Sequence, residues 1–390
     1  MNNWQKVRLK DVVSILGDGL HGTPKYDDSG EYFFINGNNL SDGQIKIKSD
    51  TKRINVSEYL RHKKDLNDRT LLVSINGTIG NVATYKGEKC ILGKSACYFN
   101  ILPGVCKEYI YYILLHDNFQ SYAKNWATGT TIKNVSLKQM REYEFLLPSF
   151  EKQQQIAKIL SSLDDKIELN AQINHNLEEQ LYALYVSNYD NLSGKKVPLK
   201  ECCSFQEGYV NPTQTKPEYF DGSVKWLRAV DINESFIIST SRTLTEQGFA
   251  SAGKSALLFP KDSIAISKSG TIGRLGIVAD NMCGNRAVIN IVPKQKKWLA
   301  FIYCYLKSRQ AEFSDLAVGS VQKNLYVSIL EPLEIFSPAD SVLNDFHFSA
   351  QTILEKMKNN CFEMQSLAQL RDALLPKLMS GEIDVAEVEV

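Results

Sequence analysis

Two short polar segments, one in each half of the chain, have residue types that suit contact with a nucleic acid. They are residues 74–80 (SINGTIG) and 267–273 (SKSGTIG), and both contain Gly-Thr-Ile-Gly after a run of β-branched residues. Glycines on either side of a threonine permit a tight, exposed turn after a strand. The flanking side chains that can donate to phosphates or base edges are Ser74, Asn76, Lys268, Ser269 and Arg274. A plain hairpin turn is the alternative interpretation.

A second pair of polar segments repeats at an offset of 190, namely residues 129–134 (GTTIKN) and 319–324 (GSVQKN). Each places small residues and a Lys-Asn pair after a glycine. Asn and Gln can bind adenine through two hydrogen bonds, whereas Lys can contact guanine or a phosphate. A solvated turn is the alternative here.

Other chemistry-bearing patterns do not form a recognisable site. Residues 17–22 spell G-x-G-x-x-G, but turn-forming residues follow where a dinucleotide-binding fold needs a helix. The eight cysteines form no C-x-x-C pair, which favours buried free thiols in a reducing cytoplasm over a zinc site or disulfides. The five histidines are scattered, and no nucleotide-binding, zinc-protease, hydrolase or methyltransferase motif occurs. We therefore expect a binding protein without a metal site or catalytic residues.

The two pairs of loops belong to a duplication of most of the chain. Residues 7–11 (VRLKD) match 197–201 (VPLKE), and Pro103 and Pro148 match Pro293 and Pro338, all at an offset of 190. A period this long indicates a duplicated domain rather than a solenoid.

Each half is expected to be a β-rich globular part followed by a helix, which is an α+β fold. Short β-branched and aromatic runs predict strands at residues 32–35, 70–75, 96–102, 224–227, 262–267 and 287–292. Short helices are expected at residues 109–115 and 299–306.

The residue pattern of the sequence changes after Pro148. Residues 151–188 contain no Pro or Gly and carry apolar residues at spacings of 4 and 3, which predicts a helix of roughly 55 Å with a heptad seam. A less regular apolar stripe near the C-terminus predicts a second long helix, which Pro376 should end or kink. We expect the two helices to pair as an antiparallel coiled coil through seams that include Ile156, Leu160, Leu163, Ile167, Leu177 and Leu181 in the first helix, and Ile353, Met357, Met364 and Leu374 in the second. Asn170 and Asn174 lie at seam positions, where they either fix the register or face solvent beyond the contact.

The expected division is a first globular domain at residues 1–150, a helical spacer at 151–196, a second globular domain at 197–339 and a second helical spacer at 340–390. Their net charges are +5, −2, +3 and −5, which together give the +1 of the whole chain. Two basic domains on acidic helices suit an elongated anion such as DNA.

Over essentially all of its 390 residues the chain resembles the DNA-specificity subunits of type I restriction–modification enzymes. The resemblance is most specific at residues 148–157 (PSFEKQQQIA), 163–170 (LDDKIELN) and 370–383 (LRDALLPKLMSGEI), and in the Ser-x-x-Gly-Thr-Ile-Gly of both halves. Residues 337–348 depart from the family's pattern, because Pro338 is present but the Glu-Lys-Gln-Gln-Gln run is not.

The resemblance implies two target-recognition domains that each read one half of a split, asymmetric double-stranded DNA sequence. The paired helices would fix the spacer and, through their seam residues, form a docking surface. Two methyltransferase subunits would bring S-adenosylmethionine, and translocase–nuclease subunits would bring ATP and magnesium. The chain itself would bind no cofactor, catalyse nothing and lie in the cytoplasm.

DNA contacts are expected from the repeated loops and from nearby polar residues. In the first domain they are His21, Lys25, Asn38, Asn76, Thr78, Thr130, Lys133 and Asn134. In the second they are Arg228, Lys268, Ser269, Thr271, Arg274, Arg286, Ser320, Gln322, Lys323 and Asn324. Two alternative functions stay open: a coiled-coil scaffold without DNA specificity, and a stand-alone DNA-modifying enzyme.

Overall fold

The chain folds into two compact units, each with its own hydrophobic core. The computed structural model describes residues 4–129, 133–187, 195–233, 235–319 and 322–385. The first unit comprises Met1–Asp165 with Leu367–Val390, and the second comprises Lys166–Ser366. These units do not coincide with the four predicted segments, because each unit takes a part of both long helices.

The first half of the chain contributes eleven strands and five helices among the described residues. The strands are β1 (Gln5–Arg8), β2 (Val13–Asp18), β3 (Tyr32–Ile35), β4 (Leu40–Ser41), β5 (Gln44–Ile45), β6 (Arg53–Ile54), β7 (Thr70–Ser74), β8 (Val82–Thr84), β9 (Cys90–Leu92), β10 (Ala96–Ile101) and β11 (Glu144–Leu147). The helices are α1 (Val56–His62), α2 (Lys107–Leu115), α3 (Asp117–Trp126), α4 (Leu137–Glu142) and α5 (Phe150–Tyr185).

The second half repeats most of these elements. Its strands are β12 (Lys196–Pro198), β13 (Cys203–Glu207), β14 (Phe220–Leu227), β15 (Phe236–Ile237), β16 (Thr243–Leu244), β17 (Leu258–Phe259), β18 (Ile264–Ser267), β19 (Leu275–Val278), β20 (Met282–Gly284), β21 (Val288–Pro293) and β22 (Glu334–Phe336). Its helices are α6 (Glu246–Ala250), α7 (Trp298–Ser308), α8 (Phe313–Leu316), α9 (Val327–Leu330) and α10 (Asp340–Ser380).

The sheet topology of the two units confirms the duplication. The main sheet of the first unit has the order β2-β10-β7-β8, and that of the second contains the same series, β13-β21-β18-β19, with β15 added at its edge. Each unit also has a smaller sheet in which one strand pairs in parallel with a neighbour, β3 with β9 and β14 with β20. The first strand of each unit pairs with a late one, β1 with β11 and β12 with β22.

The central strand β7 is buried at every position because both faces of its sheet are covered. Leu71 and Val73 point into the core under α2, whereas Leu72 points into the core shared with the smaller sheet. In the second unit Ile264 and Ile266 of β18 face the main core and Ala265 faces the opposite side. This double burial explains why these strands read as continuous apolar runs. All six predicted strands and both predicted short helices are confirmed, to within a few residues at their ends.

Within the second unit, α5 and α10 lie antiparallel, and two buried asparagines of α5 form hydrogen bonds to α10. Asn170 Nδ2 donates to Glu363 Oε2 at 2.9 Å, and Asn174 Nδ2 donates to the carbonyl oxygen of Met357 at 3.0 Å. Asn360 Nδ2 donates to Asn174 Oδ1 at 2.8 Å. Both seam asparagines are at least 94% buried, so of the two interpretations the structure supports a register role and contradicts solvent exposure.

Within the first unit, the start of α5 lies beside the end of α10 in the same antiparallel sense. Arg371 Nη1 donates to Asp164 Oδ1 at 2.6 Å, and Lys152 forms an ion pair with Asp384. Of the two outcomes expected at Pro376, an end or a kink of the second helix, the end is contradicted, because α10 continues to Ser380. Leu378 and Met379 are buried in the core of the first unit, and Pro376 lies on the exposed side of the helix, where water can bond the carbonyl group left without its N–H partner. No helix in the described ranges is both long and apolar enough to cross a membrane.

Candidate nucleic-acid interface

The two polar loops of the first unit lie side by side at one end of the main sheet. Gly77 N–H donates to the carbonyl oxygen of Lys133 at 3.2 Å, and Val135 N–H donates to that of Ile75 at 2.9 Å. Asn76 and Asn134 face each other across an isolated β-bridge. Two segments that are about 58 residues apart in the chain therefore form one surface.

The second unit builds a corresponding pair of loops that shares some of these bonds. Leu325 N–H donates to the carbonyl oxygen of Lys268 at 2.9 Å, and Val318 and Asn324 exchange two backbone hydrogen bonds at 3.0 and 2.9 Å. The sequence located the four loops, but only the tertiary structure shows that they meet in pairs.

A buried serine closes the first turn of each pair, which explains the Ser-x-x-Gly-Thr-Ile-Gly pattern. Ser74 Oγ accepts from Asn81 N–H at 2.9 Å, and Ser267 Oγ accepts from Arg274 N–H at 2.8 Å. Both serines are fully buried, so the side chain of Ser74, which by its type could donate to DNA, is not accessible to it. Gly77 and Gly270 have φ near +75°, the left-handed region that favours glycine.

Two further loops complete the cluster in each unit. In the first unit Gly37 N–H donates to Ser95 Oγ at 2.8 Å, and Ile75 N–H donates to the carbonyl oxygen of Ser95 at 2.9 Å. In the second unit Lys268 N–H donates to the carbonyl oxygen of Ala287 at 2.7 Å. We call the loops at residues 36–39, 75–81, 93–95, 128–129 and 133–135 the first loop cluster, and those at 228–231, 268–274, 285–287, 318–319 and 322–325 the second loop cluster. Sequence reasoning missed Lys94 and Ser95, because the 93–95 loop shares no letters with its copy at 285–287.

Most predicted contacts of the first domain belong to the first loop cluster. Its members are Asn38, Asn76, Thr78, Lys133 and Asn134, and His21 lies beside it, because the neighbouring Leu20 forms a bridge to Gly93. Asn38, Thr78 and Lys133 are exposed. Lys25 lies apart, since its backbone N–H donates to Glu58 Oε2 of α1 at 3.0 Å, and Thr130 is outside the described residues.

The second loop cluster contains the predicted contacts of the second domain. They are Arg228, Lys268, Ser269, Thr271, Arg274, Arg286, Gln322, Lys323 and Asn324, while Ser320 is outside the described residues. Arg228 is partly used inside the unit, because Nη2 donates to Ser241 Oγ and Nε lies 3.6 Å from Asp231 Oδ2. Arg286, Gln322 and Lys323 are exposed.

The structure corrects the assignment of Lys268, which was predicted to contact DNA. Its Nζ lies 3.2 Å from Glu207 Oε1 and 4.8 Å from the centre of the Tyr326 ring, and its side chain is only 15% exposed. A carboxylate therefore already neutralises this charge, and the side chain joins three segments of the unit.

Lys268→Met should destabilise the second unit while leaving the salt dependence of DNA binding unchanged. Removing one partner of a partly buried ion pair leaves Glu207 without its cation, at a cost of about 1–3 kcal/mol. Urea denaturation would measure the loss. Lys323→Met, at an exposed position of the same cluster, is the control that should unfold like the wild type, and equal loss in both variants would contradict the structural role.

The G-x-G-x-x-G segment does not form a dinucleotide site, because no helix follows it. The next helical residues are the short turn Gly37–Asn39. Gly19 nevertheless has a reason to be glycine, since a Cβ there would lie 2.1 Å from the carbonyl oxygen of Leu92. Gly208 shows the same close approach to the carbonyl oxygen of Asn285. Each glycine lets the chain pass directly against the cluster loop that follows β9 or β20.

The seam residues that were expected to bind partners are largely packed into the hydrophobic cores of the units. Those that are at least 98% buried are Ile156, Leu160, Leu163, Leu181 and Met357, and those that are half-buried are Ile167, Leu177, Ile353, Met364 and Leu374. For the first five, the expectation of partner contact is wrong, because a folded chain cannot present them to another protein. The large apolar side chains that the helices do expose are Phe150, Leu169, Phe348, Phe362 and Leu370.

Comparison with known proteins gives one consistent result. The family model described as the type I restriction modification DNA specificity domain matches residues 1–179 and again 194–362. The MjaIX specificity subunit of a type I restriction enzyme from Methanocaldococcus jannaschii is 27% identical, over 99% of this chain and 95% of that relative. The HindI specificity subunit from Haemophilus influenzae is 23% identical over 72% of this chain and 78% of that relative.

A solved structure shares the fold over nearly the whole length. The crystal structure of the S subunit of a type I restriction–modification system from M. genitalium aligns with a TM-score of 0.57 at 19% identity. The alignment covers 97% of this chain and 96% of that one.

Proposed function

The chain belongs to the type I restriction modification DNA specificity family, and from this we propose that each unit reads one half of a split, asymmetric duplex sequence. The observation that supports this most directly is the loop cluster, which occurs once in each unit with several corresponding backbone hydrogen bonds. Both clusters expose amide, hydroxyl and cationic donors, the groups that contact phosphates and base edges. The two globular segments, at net +5 and +3, are also the basic parts of the chain.

We propose further that this chain recruits two methyltransferase subunits and, for cleavage, translocase–nuclease subunits. The family membership and the names of the relatives support this assignment. Since the two units share one topology, each can offer an equivalent surface to one copy of the same partner. S-adenosylmethionine, ATP and Mg²⁺ would be bound by those partners, and this chain would contribute recognition without catalysis in the cytoplasm.

The helices would fix the distance between the two half-sites. Two readers of one duplex face bind in phase when their sites lie about one helical turn, or roughly 10 base pairs, apart. The asparagines that set the helix register in the second unit would then contribute to spacer length.

The test is co-expression of the chain with its methyltransferase subunit, followed by genome-wide mapping of N6-methyladenine. We expect a split motif in which exchanging residues 1–150 for those of a relative changes one half and leaves the other intact. The matched exchange of residues 197–339 should change only the other half. Loss of both halves in either exchange, or an unchanged motif, would contradict the modular assignment.

Two measurements separate the alternative functions. A scaffold without DNA specificity would bind duplex weakly and without dependence on salt, whereas a DNA-binding subunit should lose affinity steeply as salt rises. Metal-dependent cleavage or methyl transfer by the purified chain alone would instead indicate an enzyme.

A further inference from the structure

The two units share one fold, so the residues at corresponding positions of their two DNA-reading surfaces can be compared directly. Their hydrogen bonds define which residues correspond. Gly93 N–H donates to the carbonyl oxygen of Ile35 at 2.8 Å, and Asn285 N–H donates to that of Leu227 at 2.9 Å. The next residue in each loop is a cation, Lys94 in the first unit and Arg286 in the second, and both are exposed.

A second pair of corresponding cations flanks the small sheet. Phe34 N–H donates to the carbonyl oxygen of Lys52 at 2.9 Å, and Trp226 N–H donates to that of Arg242 at 3.4 Å. Both cations lie over an aromatic ring, at 5.9 Å from the centre of Tyr26 for Lys52 and at 4.2 Å from the centre of Phe220 for Arg242. Each ring attracts the cation that lies over it.

The third pair is Lys133 and Lys323, which precede the corresponding residues Asn134 and Asn324. Each of these asparagines exchanges two backbone hydrogen bonds with the far side of its loop, so the lysine before it is carried at the same point of the cluster. Both lysines are exposed.

The three segments that carry these cations are joined to one another in the first unit. Asn39 Nδ2 donates to Thr51 Oγ1, one residue before Lys52, and Gly37 of the same short turn donates to Ser95, one residue after Lys94. Ser95 is in turn bonded to Ile75, whose carbonyl oxygen accepts from Val135. The cations therefore belong to one continuous hydrogen-bonded edge of the unit.

None of the six cations forms an ion pair with a carboxylate among the residues that the structure describes. Elsewhere in the same units, cations are neutralised: Lys10 lies 2.8 Å from Glu142, and Lys225 lies 2.9 Å from Asp280. Arg242 Nη1 donates to Gln214 Oε1 at 2.9 Å, which is a neutral partner, so all six charges can still attract an external anion.

Between the repeated cations lie exposed or half-exposed positions at which the two units differ. The same capping bond occurs in both units, from Asn36 N–H to the side chain of Asn39 and from Arg228 N–H to that of Asp231. Asn38 of the first unit therefore corresponds to Val230 of the second. Ser95 and Ala287 likewise accept corresponding bonds from Ile75 N–H and Lys268 N–H, so the next residues, Asn76 and Ser269, correspond to each other. Asn38 and Val230 are both exposed.

We propose that the corresponding cations Lys52/Arg242, Lys94/Arg286 and Lys133/Lys323 contact DNA phosphates and orient both readers alike, whereas the differing positions 38/230 and 76/269 determine which bases are read. The proposal rests on the proposed function. Phosphates are arranged alike under any sequence, so two readers of different half-sites need the same cations for them. Base edges differ between half-sites, and the residues that read them must differ as well.

The phosphate assignment is tested with Lys94→Gln and Arg286→Gln in the full chain assembled with its methyltransferase subunit. Each variant should lower affinity for specific and non-specific duplex alike and reduce the slope of log affinity against log salt by about 0.9, the loss of one phosphate contact. Lys94→Arg should restore the slope. Lys10→Gln removes a charge that Glu142 already neutralises and is the control that should leave the slope unchanged.

The base assignment is tested with Asn38→Val, which installs the residue that the second unit carries in the same turn. It should change the preferred bases in one half of the methylated motif, by roughly 5- to 150-fold in discrimination, with the salt slope unchanged. A changed motif in Lys94→Gln, an unchanged slope there, or an unchanged motif in Asn38→Val would each overturn the proposal. If the wild-type assembly itself shows no sequence preference, the proposed function fails instead, and the two failures are distinct.

Discussion

Replacing Gly19 with alanine is expected to destabilise the first unit by about 3 kcal/mol or more and to disorder its loop cluster. The new Cβ would lie 2.1 Å from the carbonyl oxygen of Leu92 and 2.6 Å from that of Gly93. Both obstacles are backbone atoms, so the chain can relieve the clash only by separating from the loop that carries Lys94. The bonds from Leu20 N–H to Leu92 and from Lys94 N–H to Leu20 would be lost in that separation.

The matched control is Gly22→Ala, in the same G-x-G-x-x-G segment. A Cβ at Gly22 would meet no atom within 4 Å, and the variant should unfold at the wild-type urea concentration. In the methylation assay, Gly19→Ala should erase one half of the motif, and Gly208→Ala, where a Cβ would lie 2.1 Å from the carbonyl oxygen of Asn285, should erase the other. Equal stability of Gly19→Ala and Gly22→Ala would show that the chain at Gly19 does not lie against the backbone of Leu92 and Gly93.

Asn174→Leu is expected to lower the free energy of unfolding of the second unit by about 1–3 kcal/mol. The substitution leaves the Asn360 amide, which is 1% exposed, without the acceptor that it now has at 2.8 Å. A buried polar group that loses its partner retains the cost of its desolvation. Urea or thermal denaturation of the single variant measures this cost.

Adding Asn360→Leu to Asn174→Leu should recover most of the lost stability. With both amides gone, no buried donor is left unsatisfied, and apolar side chains fill the seam. The register of the helices would then be less well defined, because of the two seam asparagines only Asn170 would remain to oppose shifted pairings. We expect the double variant to be stable but to methylate sites with altered or mixed spacer lengths. Additive destabilisation in the double variant would show that the two amides do not depend on each other.

Much of the fold could be predicted from the sequence because its signals are local or periodic. The strands around residues 70–75 and 262–267, the Gly-Thr-Ile-Gly turns and the long heptad helix follow from neighbouring residues alone. The duplication was visible because corresponding loops have several identical residues at offsets of 190 and 193. The start of the second helix was not predicted beyond the spacer boundary at residue 340, because residues 337–348 depart from the family's pattern, and the structure begins α10 at Asp340.

Which residues of the interface are available was decided only by the tertiary structure. Lys268 and Lys94 look alike in the sequence, but Lys268 is paired with Glu207, which lies 61 residues away, and Lys94 has no such partner among the described residues. The need for glycine at position 19 but not at 22 depends on Leu92, and the burial of Asn174 depends on α10 more than 180 residues later. The sequence by itself thus determined the elements, the repeat and the class of ligand, because these depend on order along the chain. The tertiary structure decided which charges stay free and which amides are buried, because these depend on neighbours that the fold brings together from distant positions.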